Sequence, residues 1–102
     1  MTRPYIIAVD FDGTLCEDKY PDIGRARADV IAELKDRQRK GDWIILWTCR
    51  HGKELGDAVV WCINYGLLFD GVNENHPDLI AVYGDTRKVF ADEYWDDKAR
   101  PA

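Results

Sequence analysis

A three-layer α/β/α, Rossmann-like parallel sheet of about four to five strands is the fold this sequence predicts. Two observations lead there. Short apolar, β-branched runs recur along the chain without polar alternation, as strands buried on both faces do. Between them lie segments whose apolar residues repeat at helical spacing, so strand and helix alternate. A further observation bears on function. Several runs end in acidic or hydroxyl residues, and in open parallel sheets ligands bind beyond the carboxyl ends of the strands.

The first strand is Tyr5-Ile6-Ile7-Ala8-Val9, stopped by the acidic turn Asp10-Phe11-Asp12-Gly13. Residues from about Arg25 to Lys40 read as a helix, with Val30, Ile31 and Leu34 on one face and Gly41 suited to the position just past its end. Trp43-Ile44-Ile45-Leu46-Trp47 forms a second buried strand that ends at Thr48. A second helix carries Leu55, Ala58, Val59, Cys62 and Ile63 at three-and-four spacing and stops at Gly66. Leu67 to Val72 reads as a third strand and Pro77 to Tyr83 as a short helix, with proline in its first turn and Gly84 closing it. Val89 to Trp95 reads as a fourth strand, interrupted by Asp92 and Glu93.

With 102 residues, the chain suits one domain, 1–102, with a single modest core. Hydrophobic residues make up 46% and charged ones 32%, an ordinary globular balance. A net charge of −5 without a Lys/Arg stripe argues against nucleic acid as the main partner. Cys16, Cys49 and Cys62 are odd in number and never form Cys-x-x-Cys, so they suggest neither a disulfide framework nor a zinc knuckle. Reduced thiols and a cytoplasmic setting are the expectation. The opening apolar run is too short and too soon broken by acids to be a signal peptide or a membrane span.

Polar residues from separate segments converge on one sheet edge: Asp10 and Asp12 after the first strand, Thr48 after the second, Asp96 and Asp97 after the fourth. Two carboxylates in one pocket repel unless a cation or a shared proton lies between them. An oxygen-rich site of this kind suits Mg²⁺ arriving with phosphate oxygens, and Asp96 or Asp97 can complete the coordination. A carboxylate such as Asp10 can also attack phosphorus, with Asp12 as the neighbouring acid/base. Thr48 offers a hydroxyl to a phosphoryl oxygen and Lys88 a compensating positive charge. Gly84-Asp85-Thr86 and Asp92 offer rival positions for the later acidic motif.

The segment Val9-Asp10-Phe11-Asp12-Gly13-Thr14-Leu15 resembles the first signature motif of the haloacid dehalogenase-like hydrolase superfamily. Ile44-Ile45-Leu46-Trp47-Thr48 is similar to its second motif, and Lys88 with Asp96-Asp97 looks like the third and fourth in compact members. The resemblance implies a phosphatase acting through an aspartyl-phosphate on Asp10. Asp12 would serve as acid/base and lend a main-chain carbonyl to Mg²⁺. Thr48 and Lys88 would hold the phosphoryl oxygens, and Asp96, assisted by Asp97, would complete the metal set. Larger relatives insert a cap domain, whereas Cys16 to Gly24 here leaves room only for a flap. An open site suits bulky substrates or a homo-oligomer that builds its own lid. Small capless relatives act on sugar phosphates and nucleotides, so a small phosphorylated substrate is the expected partner. Arg50, in the basic stretch Cys49-Arg50-His51-Gly52-Lys53, is a candidate grip on that substrate, and Tyr20, Trp47 and Trp61 are candidates to stack on a base or sugar.

Other classes fit less well. A phospho-accepting receiver domain would use Asp70, and its Thr would have to follow that residue, yet Thr48 precedes it. An EF-hand loop needs its glycine later and a terminal Glu. A phosphotyrosine phosphatase needs Arg six positions after Cys, where Cys16 meets Asp22 and Cys49 meets Leu55. A non-catalytic or regulatory protein with the same fold is the remaining alternative.

Overall fold

The first apolar run becomes the central strand of the sheet. In the computed structural model, which describes residues 3–84 and 89–96, β1 spans Ile6–Val9 and every one of its residues is buried. It pairs in parallel with β4 (Trp43–Leu46), Ile6 opposite Trp43 and Val9 opposite Leu46. On its other side it pairs in parallel with β6 (Glu93–Trp95), Val9 opposite Trp95. A two-residue β5 (Gly71–Val72) extends the sheet beyond β4, giving the order β5-β4-β1-β6.

Because side chains alternate across a sheet, each apolar run feeds two cores. Ile7, Val9, Ile44 and Leu46 face α1 (Ala28–Arg39) and α2 (Gly52–Asn64), which contribute Val30, Ile31, Leu34, Ala58 and Cys62. Ile6, Ala8 and Ile45 face the opposite side, where Val89, Ala91 and Leu79 of α3 (Pro77–Tyr83) cover them. The result is the three-layer parallel α/β architecture read from the sequence. Among the described residues, no helix is long and apolar enough to cross a membrane.

Three elements differ from the sequence expectation. The first helix starts at Ala28 rather than near Arg25, because Cys16–Lys19 (β2) and Asp22–Ala26 (β3) form an antiparallel hairpin that takes up the preceding residues. The hairpin is the flap-sized excursion anticipated between Cys16 and Gly24. The third strand shrinks from Leu67–Val72 to Gly71–Val72, since Leu67 N–H still bonds to Cys62 O at the end of α2. The fourth begins at Glu93 rather than Val89. Val89 and Ala91 are instead gathered by the Tyr94 hydroxyl, which donates to Val89 O and accepts from Ala91 N–H.

The amino edge of the sheet is closed by two carboxylates. Asp70 accepts the N–H of Ile44 at 2.8 Å, and Asp92 accepts the N–H of Ile6 at 2.8 Å. Each thus satisfies a donor at the start of a buried strand, where a missing partner is costly. Asp92 therefore lies at the end of β1 opposite the acidic turn and is not a rival for the acidic motif there. Asp70 lies at the same far edge, which removes it as a phosphate acceptor beside Asp10.

Candidate functional site

At the carboxyl edge, ladder bonds continue past the strands and position the residues just beyond them. Asp10 N–H donates to Trp95 O at 2.9 Å, and Trp47 N–H donates to Val9 O at 2.9 Å. Asp10 is thereby set beside the segment leading to Asp96 on one side and beside Thr48 on the other. Gly13, at φ 86°, turns the chain back, with its N–H bonded to Cys16 O at 2.9 Å. A side chain is disfavoured in that left-handed region, so the glycine is what allows the acidic turn to lead into β2.

A cleft of about 500 Å³ opens here. Its walls are Asp10 and Asp12 from the turn, Thr48, Cys49 and Arg50 from the loop after β4, and Asp18 and Tyr20 from the hairpin. Phe11 N–H donates to Asp10 Oδ1 at 2.7 Å and fixes the rotation of that carboxylate. Thr48 Oγ1 accepts from Arg50 N–H at 3.1 Å, which directs the hydroxyl's own proton elsewhere as a donor. Thr48 N–H is held by Asn73 Oδ1 at 2.8 Å.

Arg50 has a different occupation from the substrate grip expected of it. Its side chain is 1% exposed. Nε donates to Asp12 Oδ2 at 2.8 Å and Nη2 to Asp12 Oδ1 at 2.7 Å, a bidentate fork that suits guanidinium and carboxylate. Nη2 also donates to Asp22 O at 2.8 Å, and Nη1 to Pro21 O at 3.2 Å and Glu54 O at 3.3 Å. A guanidinium has five N–H donors, and these bonds use every one. Phe11 and Tyr20 cover it, each ring centroid 5.0 Å from the guanidinium carbon. The hydrogen bond to Asp12 holds the arginine's pKa above its ordinary value, outweighing burial.

The remaining candidates divide between site and core. Tyr20 lines the cleft. Trp47 packs edge-on against Tyr94 at 5.6 Å. Trp61 packs edge-on against Phe11 at 5.4 Å and lies 4.5 Å from Tyr65, so its ring belongs to the packing under α2. Burial raises the Cys16 thiol and pushes Cys62 up to about 12, whereas Cys49 is exposed in the cleft wall. Asp96 follows β6 at the same edge. Lys88, Asp97 and the rival Asp85 lie outside the described residues. Among the described residues no group of three His, Cys, Asp or Glu side chains is gathered as a metal cage.

Sequence reasoning missed Asn73 and Asp18. Asn73 adopts φ 54°, a left-handed conformation that asparagine tolerates better than most residues. An asparagine directly after an apolar strand residue was the available signal. Asp18 stands in a polar segment with no period to mark it.

Fold and cleft together define a parallel α/β domain with an acidic, hydroxyl-bearing pocket at the carboxyl edge of its central strand. No protein-family model matches the sequence. No curated protein matches it either. Among solved structures, a conserved protein from Bacteroides thetaiotaomicron is 38% identical, with a TM-score of 0.84 over 95% of this chain and 78% of that one. The chain belongs to the same family as that protein.

Proposed function

We propose that the chain is a capless, haloacid dehalogenase-like Mg²⁺-dependent phosphohydrolase, with Asp10 as nucleophile and a small phosphomonoester, a sugar phosphate or nucleotide, as substrate. The observation that carries this reading is the joint placement of Asp10, Asp12 and Thr48 on one cleft at the carboxyl edge. An Asp10 oxygen attacks phosphorus while the bond to the leaving oxygen breaks, and Asp12 gives that oxygen its proton. Asp12 then takes a proton from water, whose oxygen attacks phosphorus and frees both phosphate and the Asp10 carboxylate. Thr48 donates its hydroxyl to a phosphoryl oxygen throughout.

The donor chemistry suits a hard cation. Asp10 and Asp96 follow paired neighbouring strands, and Mg²⁺ commonly uses one or two carboxylates plus water and phosphate oxygens. The main-chain carbonyl of Asp12 is a further donor. Asp10, Asp96 and that carbonyl would hold Mg²⁺, which would supply positive charge to offset the negative charge on the phosphoryl oxygens. Lys88 and Asp97 keep the roles that the resemblance assigns them. The three free thiols, two of them buried, favour a cytoplasmic setting.

The test is hydrolysis of 4-nitrophenyl phosphate and a panel of phosphorylated metabolites with and without Mg²⁺. Asp10→Asn is expected to lower kcat by about 10³-fold or more without loss of fold by circular dichroism. Wild-type rates no higher than those of the variant on every ester would end the proposal.

A further inference from the structure

Arg50 is the most fully engaged polar side chain in the cleft, and its partners come from the acidic turn, from the hairpin and, through Glu54 O at 3.3 Å, from α2. One pair of bonds, at 2.7 and 2.8 Å, takes both oxygens of Asp12. Another pair, at 2.8 and 3.2 Å, takes the carbonyls of Asp22 and Pro21 at the turn of the β2–β3 hairpin. The Tyr20 ring, also from the hairpin, covers one side of the same guanidinium. With every N–H spent inside the protein, no donor remains for a substrate.

We infer that Arg50 is a positioning residue that joins the Asp12 carboxylate to the flap as one unit, so that the acid/base and the cover of the cleft are held by a single anchor. The catalytic half of this inference rests on the proposed phosphatase reading, while the anchoring half does not. The geometry explains why arginine is needed. A planar fork grips a carboxylate through two parallel bonds and still presents outward N–H groups to three carbonyls, those of Pro21, Asp22 and Glu54. An ammonium group has three donors on one atom and cannot span both sets. The arrangement also leaves Asp12 one geometric freedom that matters. Each Asp12 oxygen takes one bond of the fork and has a second lone pair outside it, so one oxygen can exchange a proton with the leaving group while both arms keep the carboxylate in place.

The experiment compares wild type, Arg50→Lys and Arg50→Ala by two readouts. Steady-state kinetics are measured on 4-nitrophenyl phosphate, whose leaving group needs little protonation, and on glycerol 2-phosphate, whose alkoxide needs a proton. Hydrogen exchange is followed at the amides of residues 16–26. For Arg50→Lys, kcat/KM on the alkyl ester, which covers the steps up to release of the leaving group, is expected to fall by about 10²-fold, since misplacing an acid costs about that much. On the nitrophenyl ester the fall in kcat/KM is expected to be under about tenfold, whereas kcat can fall on both because they share the second step, in which Asp12 activates water. Exchange in the hairpin should accelerate about tenfold or more. Added guanidinium chloride at millimolar concentration should restore part of the alkyl-ester rate in Arg50→Ala.

Equal losses of kcat/KM on the two esters in a folded Arg50→Lys would overturn the positioning role. Unchanged hairpin exchange in that variant overturns the anchor. A wild type that hydrolyses neither these esters nor any of the phosphorylated metabolites removes the phosphatase reading and with it the acid/base role, and the exchange measurement still decides the anchor.

Discussion

Replacing Asp92 by alanine separates the two edges of the sheet. The carboxylate accepts Ile6 N–H at 2.8 Å and pairs with Arg3 at 2.8 and 3.1 Å. Ile6 is fully buried, so removing its acceptor leaves a donor stranded at the start of β1, at a cost of about 1–3 kcal/mol. The Arg3 pair is partly solvated and adds little. A loss of about 2 kcal/mol is expected, which lowers the Tm of a domain this size by about 8–16 °C. Asp92→Asn keeps an acceptor for Ile6 and should lose less than about 1 kcal/mol.

The pH dependence has a definite sign. The hydrogen bond from Arg3 holds the Asp92 carboxyl below its ordinary value, against burial, which raises it, and with help from Ile6 N–H. A lowered native pKa stabilises the fold above the unfolded value of about 3.9 and loses that contribution as pH falls through the native one. The gap between wild type and Asp92→Ala should be flat near neutrality and close in acid. Urea unfolding at a series of pH values measures it, alongside the proposed aryl phosphatase activity at neutral pH. Stability within about 0.5 kcal/mol of wild type would refute the strand-start role, and loss of activity in the folded variant would refute its separation from the cleft.

Two further outcomes rest on burial and close contact. Native protein at pH 8 should release one thiol equivalent to a disulfide reagent, from Cys49, and three when unfolded, because Cys16 and Cys62 are buried and Cys62 is pushed up to about 12; fast reaction of all three in the native state would contradict the packing under α2. Gly24→Ala places a Cβ 2.2 Å from Glu17 O, so the hairpin must open, and limited proteolysis within residues 16–26 should quicken; an unchanged digestion pattern would contradict the tight crossing there.

What the sequence made legible was whatever rests on burial. The apolar runs of β1 and β4, the helical period of α2, and Pro77 with Gly84 around α3 are local statements about hydrophobicity and backbone freedom, and tertiary packing agrees with them. The hairpin was legible only as a short excursion. Cys16–Lys19 and Asp22–Ala26 are largely polar, and their pairing depends on each other rather than on a buried face. Asp70 and Asp92 resembled site residues because an acidic side chain near a strand looks alike at either end, and only the register tells the edges apart. For Arg50, the residue type was informative and the role was not. No local pattern reveals that carbonyls from a distant turn will use its outer N–H groups.

The order β5-β4-β1-β6 also has a meaning in time. The central strand is made first, and its second neighbour comes last, with Ile6 and Asp92 separated by 86 positions. At synthesis rates of about 5–20 residues per second, the apolar flank of β1 waits several seconds or more for β6. During that interval Ile6–Val9 is an unpaired edge of the kind that recruits other chains.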